Sequence, residues 1–200
     1  MEKKVFFKSD DFSLEGLIDR AESDKGVVIS HPHPLYGGDM QNYVVQSIKK
    51  VYREKGYTTF RFNFRGVGAS QGNYDNDQGE QKDLCAALLF IASTGINHVE
   101  LAGYSYGAWI NSLVACKDAS IKNIVLVSPP VAFIDFKPVT SIPGLKLVVT
   151  GTLDDYAPPD LLEKTVKLWN PKATIEIING ANHFYEGYTK KLESVLRKRV

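Results

Sequence analysis

The sequence predicts an α/β fold in which a mostly parallel sheet is covered by helices on both faces. From Gly26 onward, short β-rich runs alternate with longer helical patterns, and this alternation requires crossover connections between parallel strands. The run Gly26–Ser30 (GVVIS) is continuous and apolar, which is typical of a strand that is covered on both faces. Together the two observations predict a parallel sheet between two layers of helices.

An antiparallel hairpin is predicted at the N-terminus, where Val5–Lys8 and Leu14–Ile18 are separated by the turn-forming residues Ser9-Asp10-Asp11. The later strands are predicted at Gly26–Ser30, Thr58–Phe64, Val99–Gly103, Ile121–Ser128, Leu145–Thr150 and Ala173–Ile178. Apolar residues recur at helical spacing in the segments between them. Helices are therefore predicted over Gln41–Lys55, Asp77–Thr94, Ala108–Cys116, Asp160–Trp169 and Tyr185–Lys198.

Composition predicts one globular domain over residues 1–200. The chain is 44% hydrophobic and 24% charged, and it contains no repeat or linker long enough to separate domains. A formal charge of +1 favours neither nucleic acid nor an anionic membrane as a partner.

The chain has no apolar run of about 18 residues and no signal-like start. Cys85 and Cys116 lack metal or CxxC spacing and are expected as buried thiols, so a cytoplasmic location is expected.

The loops that follow the strands carry the candidate site, because ligands of such sheets bind at the carboxyl ends of the strands. The stretch LAGYSYG places Ser105 between Gly103 and Gly107, after a strand and before a helix. A sharp strand-to-helix turn strains its central residue and leaves no room for side chains at the flanking positions. Ser105 is therefore the candidate nucleophile, although the short pattern also occurs by chance.

An acid and a histidine follow the next strands in the order Ser…Asp…His. His183, in NGANHF, is expected to act as the general base, and Asp154, in GTLDDYAPP, to orient it. Asp155 remains an alternative acid, and Asp135 is an outside candidate. Asp160 is expected to cap the helix that follows it.

The loop SHPHPLYGGD predicts an oxyanion hole after the first parallel strand. Such a site pairs one backbone N–H of this loop with that of the residue after the nucleophile, here Tyr106. The prolines at 32 and 34 cannot donate, so Leu35 is the expected donor, with Tyr36 as the alternative. His31 and His33 are expected to pack the loop by hydrogen bonds, because no acidic or cysteine cluster completes a metal site. The Gly-rich loop after Phe64 lacks phosphate-binding spacing and is expected to be a structural turn against the elbow.

These motifs resemble the α/β-hydrolase superfamily, and most closely its small cap-less bacterial branch, which is loosely related to the dienelactone hydrolases. The resemblance rests on HPHPLYGGDMQN, FRFNFRGVGASQG, GYSYGAW, GTLDDYAPP and GANHFYEG, which occur in the family's order. It implies a serine hydrolase of esters, thioesters or related acyl compounds without a metal or organic cofactor. It also implies Ser105, Asp154 and His183 as the triad, with Leu35 and Tyr106 at the oxyanion hole. Dienelactone hydrolases proper carry cysteine at the elbow, so their lactone specificity does not carry over to this chain.

The segment between the strands near residues 128 and 145 is short and interrupted by prolines, so no cap domain is predicted. An open site should favour small or short-chain acyl esters as small-molecule substrates. Its expected walls are Leu35, Tyr36, Tyr104, Tyr106, Phe133, Phe136 and Tyr156. A peptidase, an acyltransferase and a non-catalytic binding protein of the same fold remain alternatives. The edge of the N-terminal hairpin leaves a homodimer open as well.

Overall fold

A computed structural model of the protein describes residues 1–200 and contains one eight-stranded sheet. The strands are β1 (Lys3–Ser9), β2 (Phe12–Asp19), β3 (Lys25–Ser30), β4 (Thr58–Phe62), β5 (His98–Tyr104), β6 (Ile124–Val127), β7 (Leu145–Leu153) and β8 (Thr174–Asn182). Their order across the sheet is β1-β2-β4-β3-β5-β6-β7-β8. The pairs β1/β2 and β2/β4 are antiparallel, and the pairs from β4/β3 to β7/β8 are parallel. The predicted parallel sheet with an N-terminal hairpin is confirmed.

Five helices cover the two faces of this sheet. They are α1 (Tyr43–Glu54), α2 (Gln78–Ser93), α3 (Tyr106–Ala115), α4 (Pro159–Trp169) and α5 (Thr189–Arg199). Buried side chains of α2, α3 and α4 form one core with Val28 and Leu126, and those of α1 and α5 form the other with Val27 and Val127. Successive strand residues thus face opposite cores, as the pleat requires. This arrangement explains why the central strands are apolar at nearly every position.

The bounds of most elements differ from the predicted ones by a few residues, and in β6 and α5 left-handed residues cause the difference. β6 is shorter than the predicted Ile121–Ser128, since Asn123 (φ 55°) and Ser128 (φ 46°) lie outside extended geometry. α5 begins at Thr189 and not at Tyr185, which has a φ of 56° and starts a turn. Left-handed backbone in residues other than glycine is uncommon and is not signalled by hydrophobic periodicity.

The glycine-containing loop after β4 is a structural turn, as predicted, and a buried ion pair holds it. Nη2 of Arg65 lies 2.7 Å from Oδ1 of Asp83 on α2, and both side chains are buried. The Asp83 carboxylate also accepts hydrogen bonds from the Arg65 N–H and the Ser9 hydroxyl. At the start of this loop the Phe64 ring packs edge-on against Tyr106. Tyr106 is the residue that follows the candidate nucleophile in the sequence. The loop therefore ties β4, α2 and the hairpin together behind the candidate site.

The carboxyl edge of the parallel sheet is not covered by a cap. Between Val127 and Leu145 the chain forms turns and no helix, so the loops that follow β3, β5, β7 and β8 meet at an open surface. No helix is both long enough and apolar enough to cross a bilayer. Both cysteines are free thiols, but Cys85 is exposed and Cys116 is only half-buried. The expectation that both are buried is wrong because Cys85 lies on the solvent side of α2.

Candidate active site

Ser105 occupies a strained turn between β5 and α3. Its backbone has φ 54° and ψ −118°, a combination that a residue with a side chain adopts at a cost of about 1–3 kcal/mol. The Ser105 N–H donates to the Val127 carbonyl of the neighbouring strand at 2.9 Å, which anchors the turn to the sheet. The hydroxyl is thereby held above the end of β5 at the N-terminus of α3.

The two glycines of the elbow are required by close packing. A Cβ on Gly103 would lie 2.6 Å from the Gly107 carbonyl oxygen, and one on Gly107 would collide with the Ser30 carbonyl. Both collisions are with backbone atoms and cannot be relieved by rotating a side chain. The predicted strand–turn–helix context of the G-x-S-x-G pattern is therefore present, and each glycine has its own steric reason.

His183 lies directly after β8 and faces Ser105. Its Nε2 is 2.9 Å from the Ser105 Oγ, which is the distance of an ordinary hydrogen bond. The His183 carbonyl accepts a hydrogen bond of 3.0 Å from the Tyr104 hydroxyl, and its ring packs against Tyr156 with the centroids 4.6 Å apart. Tyr104 thus holds the backbone of His183 and Tyr156 packs on its buried ring, with Nε2 directed at the serine.

Asp154 lies directly after β7 and binds the other side of the imidazole. Nδ1 of His183 is 2.9 Å from Oδ1 and 3.1 Å from Oδ2 of this carboxylate. Oδ1 also accepts the N–H groups of Tyr156 at 3.1 Å and Ala157 at 2.9 Å. A carboxylate at Nδ1 fixes the tautomer that leaves Nε2 free to accept a proton from Ser105.

The Asp154 carboxyl is ionised despite its burial. Burial by itself raises its pKa, but hydrogen bonding and charge from His183 lower it, and the Ser128 hydroxyl and the Ala157 N–H add to that effect. The net result is a pKa below the ordinary range for aspartate. The negative charge is therefore available to stabilise an imidazolium when His183 takes a proton.

None of the other candidate acids reaches His183. Asp155 is exposed, and the Asp135 carboxylate accepts the Lys137 N–H at 3.0 Å on an exposed loop. Asp160 lies in the first turn of α4 but makes no capping hydrogen bond, because Pro158 holds the cap position. The expectation that Asp160 caps the helix is therefore wrong.

The N–H of Leu35, the predicted oxyanion donor, is engaged within its own loop. It donates to Nδ1 of His33 at 3.2 Å, within a short 3-10 turn over Pro34–Tyr36. The Tyr36 N–H, the predicted alternative, donates to the His33 carbonyl at 3.1 Å. The N–H groups of His33 and Tyr106 have no hydrogen-bond partner in the protein, and both residues line the cleft at Ser105.

His31 and His33 pack the loop by hydrogen bonds, as predicted. Nε2 of His31 accepts the Phe64 N–H at 3.0 Å, and Nδ1 lies 2.6 Å from the Pro32 carbonyl. The first bond requires an unprotonated Nε2, so the proton lies on Nδ1. Burial lowers the pKa of His31 to about 4, which keeps this side chain neutral. His31 thus connects the oxyanion loop to the end of β4.

A cleft of about 470 Å³ opens above Ser105. All four predicted substrate-contacting residues line it, and three of them, Tyr36, Phe133 and Tyr156, have exposed rings. Tyr104 also lines the cleft but is almost fully buried, and its hydroxyl is engaged by the His183 carbonyl. Phe136 was expected in the wall, which is wrong, because its ring is buried against Trp109 with a centroid separation of 4.6 Å.

Sequence reasoning missed the residues behind Asp154. The Ser128 hydroxyl lies 2.8 Å from the hydroxyl of Tyr185, which is fully buried, and the Thr150 hydroxyl is 3.4 Å from Oδ2 of Asp154. The position of Ser128 directly after β6, on the same sheet edge as the other site residues, was the available signal. Tyr185 has a left-handed backbone conformation that directs its side chain inward. No sequence pattern marks this conformation.

Comparison with known proteins identifies the class of protein that this fold and site define. The family model described as X-Pro dipeptidyl-peptidase (S15 family) matches residues 21–139, which include the oxyanion loop and Ser105 but not Asp154 or His183. A curated relative, the uncharacterized protein RP471 of Rickettsia prowazekii, is 34% identical over 96% of this chain and 86% of its own length. The chain therefore belongs to the S15 family within the α/β-hydrolase superfamily.

Two solved structures share the whole architecture. An α/β serine hydrolase homologue from Coxiella burnetii superposes with a TM-score of 0.92 at 34% identity, covering 99% of this chain and 97% of the other. An α/β serine hydrolase without a lid, from Xanthomonas campestris, gives a TM-score of 0.91 at 27% identity, covering 100% and 93%. The protein is thus a hydrolase of the lid-less α/β serine hydrolase type.

Proposed function

We propose that the protein hydrolyses small or short-chain carboxylic esters or thioesters through an acyl-enzyme on Ser105. The observation that carries this proposal is the continuous chain Ser105–His183–Asp154, in which both links are 2.9 Å. A serine hydroxyl is a weak nucleophile at neutral pH and reacts when an adjacent base accepts its proton. His183 is that base, and the buried carboxylate of Asp154 orients it.

In the acylation step Ser105 Oγ attacks the carbonyl carbon while Nε2 of His183 takes the hydroxyl proton. The electron pair of the carbonyl moves onto its oxygen, and the free N–H groups of His33 and Tyr106 are the proposed donors to that oxyanion. Such donors stabilise charge that exists only in the transition state and are worth about 10²–10³-fold in rate. Collapse of the intermediate breaks the bond to the leaving oxygen or sulfur, which receives the proton from His183.

Deacylation repeats the same steps with water. His183 Nε2 takes a proton from a water molecule as its oxygen attacks the acyl carbon, and the proton then returns to Ser105 Oγ as the acid departs. Asp154 stays ionised throughout and stabilises the imidazolium in both halves of the reaction. The open cleft gives water direct access to the acyl-enzyme, which favours hydrolysis over transfer to a second substrate.

The family match makes a peptidase the second candidate, and the lining of the cleft argues against it. A dipeptidyl-peptidase needs an acidic group to hold the α-ammonium of its substrate, because a charge left unpaired in a partly desolvated site is costly. No aspartate, glutamate, lysine or arginine lines the cleft above Ser105. Uncharged esters therefore fit the site better than peptides with a free amino terminus.

A substrate series tests the proposal. We expect the purified protein to hydrolyse methyl butyrate and the matching thioester, with rates that stop rising before an acyl length of about eight carbons. A dipeptidyl anilide with proline in the second position should be cleaved at least about 100-fold more slowly in kcat/KM. Efficient cleavage of the anilide with little ester hydrolysis would replace the esterase proposal with the peptidase one. Rates that rise steadily beyond eight carbons would contradict the expected size of the acyl group.

A further inference from the structure

The mouth of the cleft is bordered by a continuous series of rings, here called the aromatic arc: His33, Tyr36, Phe133, Tyr156 and His183. Successive ring centroids along it are 4.9, 6.5, 5.4 and 4.6 Å apart. The arc runs from the loop after β3, through the segments that follow β6 and β7, to the loop after β8 that carries the candidate base. All five rings line the cleft that contains Ser105.

Rings of the arc are exposed where burial would otherwise be favourable. Tyr36 is 74% exposed and Phe133 is 58% exposed, although phenylalanine is among the residues most often buried. Clustered exposed aromatic rings in a concave site mark a surface that is covered by a ligand. The Tyr36 and Tyr156 hydroxyls make no hydrogen bond within the protein, so both remain available to a polar substituent.

The two ends of the arc serve different parts of an ester. The leaving oxygen must face Nε2 of His183, so Tyr156, whose ring packs on that imidazole, flanks the alcohol. Phe133 and Tyr36 make no ring contact with His183, and their rings meet edge-to-face at an angle of 66° with centroids 6.5 Å apart. Pro130 and Ile134 line the cleft beside Phe133. The acyl group is therefore placed against Phe133 and Tyr36.

We infer that the acyl group preferred by this site carries a planar, uncharged aromatic ring. This inference rests on the proposed ester hydrolysis and specifies its substrate class. A flat ring presents a face to Phe133 and an edge to Tyr36, and aromatic pairs are favoured by about two- to tenfold in binding beyond their buried area. A saturated ring of the same carbon count buries similar area but lacks the charge distribution that rewards this geometry. A charged acyl group would find no ionic partner in the cleft.

A matched pair of esters tests the inference. Methyl 3-phenylpropanoate and methyl 3-cyclohexylpropanoate share their leaving group, their chain and the reactivity of their carbonyl, and they differ in the planarity of one ring. We expect kcat/KM for the phenyl ester to exceed that for the cyclohexyl ester about fivefold. Phe133→Leu should reduce this ratio to about one by slowing the phenyl ester. Phe6→Leu is the control, because Phe6 is 53% exposed on β1, outside the cleft, and its ratio should equal that of the unmodified protein.

The outcomes distinguish failure of the aromatic acyl preference from failure of the proposed ester hydrolysis. A ratio at or below one in the unmodified protein, with methyl butyrate hydrolysed, would overturn the aromatic preference and leave the esterase proposal intact. A fivefold ratio that survives Phe133→Leu would overturn the assignment of the acyl group to Phe133. If no ester in the series is hydrolysed, the proposed function fails and the inference fails with it.

Discussion

Nδ1 of His183 lies 2.9 Å from Oδ1 of Asp154, and the imidazole reaches Ser105 with its other nitrogen at the same distance. The three residues come from the ends of β8, β7 and β5, and Asp154 and Ser105 precede His183 by 29 and 78 positions in the chain. Only the parallel sheet brings them together. The fold is therefore what joins three isolated polar residues into one hydrogen-bonded path.

Asp154→Asn should preserve the position of the side chain and remove its ability to orient His183. The amide oxygen of asparagine can still accept the Tyr156 and Ala157 N–H groups, but its NH2 group cannot accept the proton on Nδ1. His183 would then favour the wrong tautomer, and we expect kcat for ester hydrolysis to fall by about 10⁴-fold. Steady-state kinetics together with the free energy of unfolding separate loss of function from loss of fold.

Asp155→Asn is the matched control for that substitution. Asp155 is adjacent in sequence and exposed, so its amide should leave kcat within about twofold of the unmodified protein, as surface substitutions generally do. A large loss in Asp155→Asn with activity retained in Asp154→Asn would show that the adjacent acid serves His183.

His33→Pro tests which backbone N–H stabilises the oxyanion. His33 has a φ of −59°, which a proline ring adopts without strain, so the substitution removes the N–H with little change in the chain. His33→Ala removes the same side chain and keeps the N–H. We expect kcat of His33→Pro to be about 10²-fold below that of His33→Ala. Equal kcat values for the two variants would place the donor elsewhere in the loop.

His31 should make the stability of the protein depend on pH. Burial lowers its pKa from 6.5 to about 4 in the folded protein, so between these values the unfolded chain binds more protons than the native one. The free energy of unfolding therefore falls as the pH decreases from 6.5 toward 4, by up to about 3 kcal/mol from this residue. Above pH 6.5 the contribution of His31 to the free energy of unfolding is fully present.

Urea unfolding of the unmodified protein and of His31→Gln from pH 4 to 6.5 measures this contribution. Glutamine can donate to the Pro32 carbonyl and accept the Phe64 N–H but does not titrate. We expect a shallower pH dependence of the unfolding free energy in the variant. Identical slopes would show that His31 is not the group that takes up the proton.

The fold and most of the site could be predicted because their signals are local. Strand–helix alternation gave the parallel sheet, and the strand-to-helix context distinguished Ser105 from other serines. Asp154 and His183 could be predicted because each follows a strand directly, and parallel strands place their carboxyl ends on one edge. The bounds of β6 could not be predicted in the same way, because the left-handed Asn123 and Ser128 interrupt an apolar run without changing its hydrophobicity.

The remaining features depend on contacts between distant or unpatterned groups. Leu35 was expected to donate to the oxyanion because it is the first residue after two prolines, but the ring of His33 folds back and accepts its N–H. Phe136 was expected to line the cleft, yet Trp109 and Trp169 form an apolar site that buries it. Both outcomes are decided by side-chain rotamers, which a one-dimensional pattern does not specify.

The most direct test of the central claim is covalent labelling with a fluorophosphonate, followed by mass spectrometry of the labelled peptide. A serine that is activated by a base displaces the fluoride and retains the phosphonyl group on Oγ. We expect one label per chain at Ser105, none in Ser105→Ala, and labelling slowed by at least about 10³-fold in His183→Ala. Absence of labelling in the folded protein, or labelling at another residue, would contradict the assignment of Ser105 as the nucleophile.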